Sequence, residues 1–361
     1  MSVPPRPEVA ALKPAVHGGP DHAELERLGR RPDEVLDFSV NANPVGPSSK
    51  VYEALSVVDV ARYPDPECLL LRRTLAAVHG VAPENIIAGN GSAELMWLLG
   101  LAYLSAGDKV LIVGPTFGEY ETVARLMGAE PVHYRAVPPD LRPDVDEIVR
   151  LMVRHGPKLT FLCNPNNPTG QYLSAEDVER ILAAATHGFL VLDEAYVFFV
   201  EDAWPATPLV FRGNLVILRS MTKDYALAGL RLGYALAAEE ATSVLRRVRP
   251  PWNVNAAAQA AGNAALEDVE HLARAKEAVL EGKHYLMEAL PKLGLMPVPS
   301  RANLFLVEVG DASAIYAKLL EKGVKVRNCT SFGLPNYIRL GARTLPECQR
   351  LVAALQEVLG R

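Results

Sequence analysis

The sequence predicts an α/β fold, with a large unit on a mostly parallel sheet flanked by helices and a smaller α+β unit built from the N- and C-terminal parts. Three observations lead there. From about residue 51 to 250, short apolar runs alternate with helical periods, and strands that alternate with helices imply right-handed crossovers between parallel neighbours. The runs are apolar at successive positions, as strands covered on both faces must be. After about residue 250 the texture changes to a long Ala-rich helical stretch followed by mixed strands and helices.

The elements follow in order. Residues 1–50 are rich in Pro and Gly and hold the loop-like clusters HGGP and NANPVGPSS, which predicts an N-terminal arm that also supplies part of the small domain. Residues 51–250 make the large domain. Its strands are NIIAG (85–89), KVLIV (109–113), LTFLC (159–163), FLVLD (189–193) and LVILR (215–219). The helical patterns SAELMWLLGLAYL, EYETVARLM, VDEIVRLMVR and SAEDVERILAAA separate the first four. Residues 251–361 make the small domain: one helix from Asn255 toward Leu290, then LFLVEV, the helix AIYAKLLEKG, VKVRN, YIRLG and a closing helix.

Composition narrows the function. A chain of 361 residues with 49% hydrophobic and 22% charged residues can bury a large core without staples. A net charge of −5 and the lack of a strongly basic segment argue against nucleic-acid binding. Cys68, Cys163, Cys329 and Cys348 lie far apart with no CxxC pair, which predicts free thiols in a reducing compartment and no metal site. The N-terminus MSVPPRPEVAALKPAV has no signal-peptide core, and LMWLLGLAYL is too short to span a bilayer. A cytoplasmic protein with no membrane partner is expected.

Ligands of such sheets bind beyond the carboxyl ends of the strands. Here those ends carry Gly89-Asn90-Gly91-Ser92, Asn164-Pro165-Asn166-Asn167, Asp193 and Ser220, all directed to one crevice. GNGSAE has Glu94 where a dinucleotide fingerprint needs its third glycine, and no P-loop occurs. HGG is not followed by any GxSxG elbow, which leaves an esterase without its nucleophile. A helix opening at Ser92 offers free N–H groups and a positive dipole end to an anion. Ser220, Thr222 and Arg231 add donors and a fixed charge, so together they describe a phosphate cup. Lys223 lies beside it in SMTKDYALAGLRLGY. Alone it reads as one of 37 basic residues, mostly solvated; next to a bound phosphate it is suited to forming a Schiff base. Asp193 closes an apolar strand, where a carboxylate needs a helix to cap, a salt bridge or a cationic ligand nitrogen. Asn167, Phe117 and Tyr196 taken singly read as a turn residue and two core aromatics.

NPNNPTG, LDEAY, SMTK and GLRLGY, in that order and spacing, resemble the fold type I pyridoxal-phosphate enzymes of aminotransferase class I/II, over nearly the whole chain. The resemblance implies pyridoxal 5'-phosphate as cofactor, anchored on Lys223, which later moves the proton. It implies that Asp193 pairs with the pyridine nitrogen, that Asn167 and Tyr196 bond the phenolic oxygen and that Phe117 stacks on the ring. The N–H groups of Ser92 and Ala93, with Ser220, Thr222 and Arg231, would hold the phosphate. Tyr63, in RYPDPE, looks like the tyrosine that reaches the cofactor phosphate of a second subunit, which implies a homodimer. Arg339, in YIRLG, matches the arginine that holds the substrate's α-carboxylate, a place the phosphate of a substrate without a carboxylate would take; Arg327 and His17 are candidates for a second cationic site, and Asn43 is a further substrate-side candidate. LAGLRLGY and WNVNAAAQAA resemble the histidinol-phosphate aminotransferases, and amino transfer with a phosphorylated substrate is the first reading. HGG, LDFSVNANPVG, YPDPE and LRSMTK resemble the threonine-phosphate decarboxylases of cobalamin synthesis, which stand as the alternative. Relatives on that branch often carry Pro where this chain has Ala228.

Overall fold

The computed structural model of the chain describes residues 3–360. The strands are β1 (Leu36–Asp37), β2 (Ile86–Asn90), β3 (Lys109–Gly114), β4 (Glu130–Arg135), β5 (Leu159–Cys163), β6 (Phe189–Asp193), β7 (Leu215–Ser220), β8 (Leu232–Ala237), β9 (Leu304–Glu308), β10 (Val324–Lys325), β11 (Arg327–Asn328) and β12 (Tyr337–Gly341). Seven of them form the main sheet in the order β2-β8-β7-β6-β5-β3-β4. The β3–β4, β3–β5, β5–β6 and β6–β7 pairs are parallel, whereas β8 runs antiparallel to both its neighbours. The sheet is therefore mostly parallel, as the alternating pattern predicts.

The alternation of side chains explains the continuous apolar runs. On one face Leu111, Leu162, Leu192 and Ile217 join a buried cluster with helix residues such as Ile148 and Ile181. On the other, Ile112, Phe161, Val191 and Leu218 pack with Leu95, Tyr120 and Val123. Both faces are covered, so both register positions are apolar between the strand ends, with buried Thr160 of β5 as the exception.

Two strands of the main sheet carry no signature that the sequence reading used. β4, EPVHYR, is a sheet edge and half-solvated, with Pro and His breaking its apolar character. β8, LGYALA, is buried throughout but built largely from small residues. The single helix expected from Asn255 to Leu290 is two, Ala256–Leu266 and Val269–Lys292. The break comes at Asp268, whose carboxylate accepts the His271 N–H at 3.1 Å and caps the second helix. VKVRN likewise divides. β10 pairs in parallel with β1, while β11 pairs antiparallel with β12, which also pairs with β9. Buried Val326 lies between the two short strands.

No helix among the described residues is long and apolar enough to cross a membrane. All four cysteines are free and buried.

Candidate active site

The carboxyl ends of β2, β5, β6 and β7 meet at one cavity of about 110 Å³. Ser92, Ala93, Phe117, Asn167, Asp193, Tyr196, Ser220, Thr222, Lys223 and Arg231 all line it, so the residues singled out on five separated stretches converge.

Its anion end is built on two glycines. Gly233 of β8 pairs with Ser220 of β7 and Gly89 of β2. A Cβ at Gly233 would lie 2.4 Å from the Ser92 nitrogen, so only glycine lets helix Gly91–Tyr103 start this close to the sheet. Gly91 has φ +75°, and a Cβ there would meet Arg231 Nη2 at 2.9 Å. The Arg231 guanidinium thus lies against the helix N-terminus. Its own backbone is left-handed, φ +58°, a conformation that a non-glycine residue holds only where its surroundings enforce it. Among the described residues its guanidinium donates to the Ala228 carbonyl alone, at 3.2 Å. Ser220 and Thr222 are buried, with hydroxyls 2.7 Å apart. Helix N–H groups, two hydroxyls and a guanidinium with spare donors make a donor set that fits a phosphate.

Lys223 lies next along the chain. Burial, together with the Arg339 and Arg231 charges, lowers its ammonium from 10.5 to about 8, which makes the neutral, nucleophilic amine accessible near neutral pH. Its Nζ lies 5.9 Å from the centre of the Tyr196 ring. Asn43 donates its backbone N–H to the Lys223 carbonyl at 2.8 Å and its side-chain amide to the Asp224 carbonyl at 3.1 Å. The Asn43 side-chain oxygen takes the Val45 N–H at 2.8 Å. Asn43 therefore braces the lysine's backbone, and its polar atoms are engaged by main chain.

At the opposite end is Asp193, 4% exposed. Burial raises its pKa, opposed by a hydrogen bond from Tyr120, the Ala195 N–H and the Lys223 charge. The Tyr120 hydroxyl donates to Oδ2 at 2.6 Å and the Ala195 N–H to Oδ1 at 3.0 Å. No cationic side chain forms an ion pair with it among the described residues. The capping and salt-bridge readings of Asp193 are thus not what the fold uses. A buried carboxylate held by two donors and facing the cavity fits a cationic ring nitrogen. Burial raises Tyr196 to about 12, so it stays a protonated donor. With a phosphate cup at one end, a carboxylate at the other and a lysine between, the residues present fit pyridoxal 5'-phosphate.

The substrate side comes from the small antiparallel sheet. Arg327 and Arg339 stand directly opposite each other on β11 and β12, on the same face. They are 7% and 4% exposed, and neither has a carboxylate ion pair among the described residues. Burial lowers the pKa of both, and Arg339 adds to the effect on Arg327. Arg339 donates to Asn167 Oδ1 and to the Ser39 carbonyl, with its Nε unpartnered. Arg327 donates to the Val16 carbonyl and Ser331 Oγ, each at 2.7 Å. Arg327, His17, Ser39 and Lys325 line a second cavity of about 480 Å³, so His17 and Arg327 do share a space. His17, however, is half-exposed and bonded to Glu119 at 3.0 Å, its ring 5.6 Å from Phe117. Tyr63 lies away from this chain's own cavity, 79% exposed and stacked on Trp252 at 4.4 Å.

Three participants escape a sequence reading. Tyr120 looks like one more apolar position of an amphipathic helix. Cys163, which lines the cavity, looks like the end of a strand. Buried Glu194 forms an ion pair at 2.6 Å with the partly exposed Arg219 at the ends of β6 and β7. That pair did leave a signal: two adjacent carboxylates ending FLVLDE require two partners, and LVILR ends on a charge.

Residues 33–355 match the family described as aminotransferase class I and II. A histidinol-phosphate aminotransferase of Symbiobacterium thermophilum is 39% identical, covering 98% of each chain. Another, from Moorella thermoacetica, is 36% identical over 98% of this chain and 92% of its own length. The crystal structure of histidinol-phosphate aminotransferase from Sinorhizobium meliloti in complex with pyridoxal-5'-phosphate superposes with a TM-score of 0.89 at 27% identity, covering 98% and 97% of the two chains. L-threonine-O-3-phosphate decarboxylase from Porphyromonas gingivalis superposes at 0.80 with 26% identity, covering 90% and 99%.

Proposed function

Since the chain belongs to the aminotransferase class I and II family, we propose that it transfers the amino group of histidinol phosphate to 2-oxoglutarate, using pyridoxal 5'-phosphate held on Lys223. The observation that carries the substrate reading is the Arg327–Arg339 pair. Two like charges are buried on facing strand positions without an acid, and although each donates to neutral oxygens, an anion joining them would relieve their repulsion. A dianionic phosphate satisfies both, and its bidentate oxygens match guanidinium forks.

Bound pyridoxal 5'-phosphate supplies a carbonyl that condenses with amines and a protonated ring that accepts the electron pair released at Cα. The chain's residues do the rest. Ser92 and Ala93 N–H groups, Ser220, Thr222 and Arg231 fix the phosphate end. Asp193 accepts the ring N–H and keeps it in place. Asn167 and Tyr196 donate to the phenolic oxygen, and Phe117 covers one ring face. Arg339 and Arg327 would grip the substrate anion and so orient its Cα toward Lys223. Lys223, as a neutral amine beside the cavity, would hold and move the Cα proton.

A second reading, decarboxylation of threonine phosphate, is favoured by the HGG segment. A Cβ on Gly18 would lie 2.3 Å from the Ser39 carbonyl, and the Gly19 N–H bonds Ser39 Oγ at 2.9 Å. His17 lines the same cavity as Arg327, where a second anion would be met. Two incubations separate the readings. Histidinol phosphate with 2-oxoglutarate should yield glutamate; L-threonine O-3-phosphate should release no carbon dioxide. Carbon dioxide without glutamate formation would reverse the assignment.

We also propose a homodimer in a reducing cytoplasm, with residues 51–250 as the cofactor domain and the flanking parts as the small domain. The stacked pair Tyr63–Trp252 lies on the surface, and Tyr52 and Leu70 are 61% and 67% exposed, an apolar display that suits burial against a second copy. Tyr63→Ala is expected to weaken cofactor retention several-fold although Tyr63 is remote from its own chain's cup. Sedimentation of a monomer at micromolar concentration with full cofactor content would sink the dimer.

A further inference from the structure

The carboxylate at the ring-nitrogen end of the site is not held by chance packing. Tyr120 is fully buried on the helix Glu119–Leu126, and its hydroxyl reaches Asp193 Oδ2 at 2.6 Å. Its ring has no freedom to point elsewhere. One face stacks on Phe161 at 4.7 Å, nearly parallel at 6°, and Phe117 meets it edge-on at 5.7 Å and 82°. Phe161 and Asp193 come from neighbouring parallel strands and share the face that Tyr120 covers. Tyr120 therefore ties together the two cavity groups that lie farthest apart in chemistry, the aromatic Phe117 and the anionic Asp193.

We propose that Tyr120 is a positioning residue for the cofactor reading above, on which this inference rests: its hydroxyl keeps Asp193 ionised and aimed at the ring nitrogen, while its ring braces Phe117. The physical need is specific. Around Asp193 the Cys163 thiol from β5, the Tyr196 phenol and the Glu194 carboxylate bring no positive charge, and the Lys223 charge that favours its ionised form is spent once that lysine becomes the neutral amine. Desolvation favours a neutral carboxyl, and a neutral carboxyl would surrender the ring-nitrogen proton that makes the cofactor an electron sink. A hydrogen bond to a charged acceptor is among the stronger single contacts available to resist that. Cys163 cannot replace it, since its Sγ is engaged with the Pro165 carbonyl at 3.2 Å.

The test compares wild type with Tyr120→Phe, which retains the ring stack and removes the donor. Both are loaded with pyridoxal 5'-phosphate, and the visible absorbance of the lysine-bound cofactor is titrated with pH. A less firmly protonated ring draws less electron density from the lysine nitrogen, so the midpoint should rise in Tyr120→Phe by about one pH unit. Turnover should fall about tenfold with KM within about twofold, the pattern of a loss felt in the transition state. In an Asp193→Asn background the same Tyr120→Phe change should leave the midpoint unmoved. 3-Fluorotyrosine in place of Tyr120 is a stronger donor and should lower the midpoint, which keeps the question answerable if the phenylalanine variant is unstable. Equal midpoints in wild type and Tyr120→Phe, or equal shifts with and without the Asp193 carboxylate, would overturn the inference alone. A wild type that takes up no chromophore would overturn the cofactor reading and this inference with it.

Discussion

Lys223→Ala is expected to abolish turnover, by roughly 10⁴-fold or more, because the covalent anchor and the proton carrier are lost together. The visible band of the lysine-bound cofactor should vanish with it, and borohydride should no longer fix cofactor to the chain. A variant that still showed a borohydride-reducible chromophore would place the anchor elsewhere. The same position has a consequence for the cofactor-free protein. Its ammonium is lowered from 10.5 to about 8, chiefly by burial. The charged form is therefore disfavoured in the folded state. Stability is lost as pH falls from 10.5 toward 8, and the full cost is present below 8. Lys223→Met should remove that cost and stabilise the cofactor-free protein at pH 7 by on the order of 2–3 kcal/mol. The gain should fade above pH ~10.5. Thermal unfolding at both pH values reads this directly, and a gain of equal size at both would show that the amine is not desolvated.

The second large effect separates the two anion sites. Arg231→Ala should raise the dissociation constant for pyridoxal 5'-phosphate by roughly 10²-fold, since it deletes the fixed charge at the cup. Arg339→Ala should leave that constant nearly unchanged and raise KM for the phosphorylated substrate by a comparable factor. Arg339 does touch the cofactor side through Asn167, so a small loss of cofactor affinity is consistent with the geometry. Equal loss of cofactor from both variants would count against the division of labour.

The main sheet was readable because strands buried on both faces are largely apolar at successive positions, as β3, β5, β6 and β7 are between their ends apart from Thr160. β4 was not, since an edge strand answers to solvent on one side and tolerates Pro131 and His133. The helix break at Asp268 and the division of VKVRN are tertiary choices. The first depends on a capping carboxylate that also bonds Ser48, 220 residues away, and the second on which of two sheets each half can reach. In the site, residues with covalent or ionic tasks stood in sequence motifs at strand ends. Tyr120 did not, because its hydroxyl matters only once the helix carrying it is laid against β6. His17 was readable as a cavity residue but not as the partner of Glu119, for which nothing local gives a sign.

The cup for the cofactor phosphate is framed by the seven-stranded sheet and fixed by Gly91 and Gly233, where a side chain has no room. The arginine pair comes from a separate three-stranded sheet, with the Arg339–Asn167 bond as a joint between them. Divergence can therefore act on the two parts at different rates. On the proposed roles, drift on β11 and the N-terminal arm would change which anion is gripped with little effect on the electron sink, whereas a change at Arg339 would be felt on both sides through Asn167.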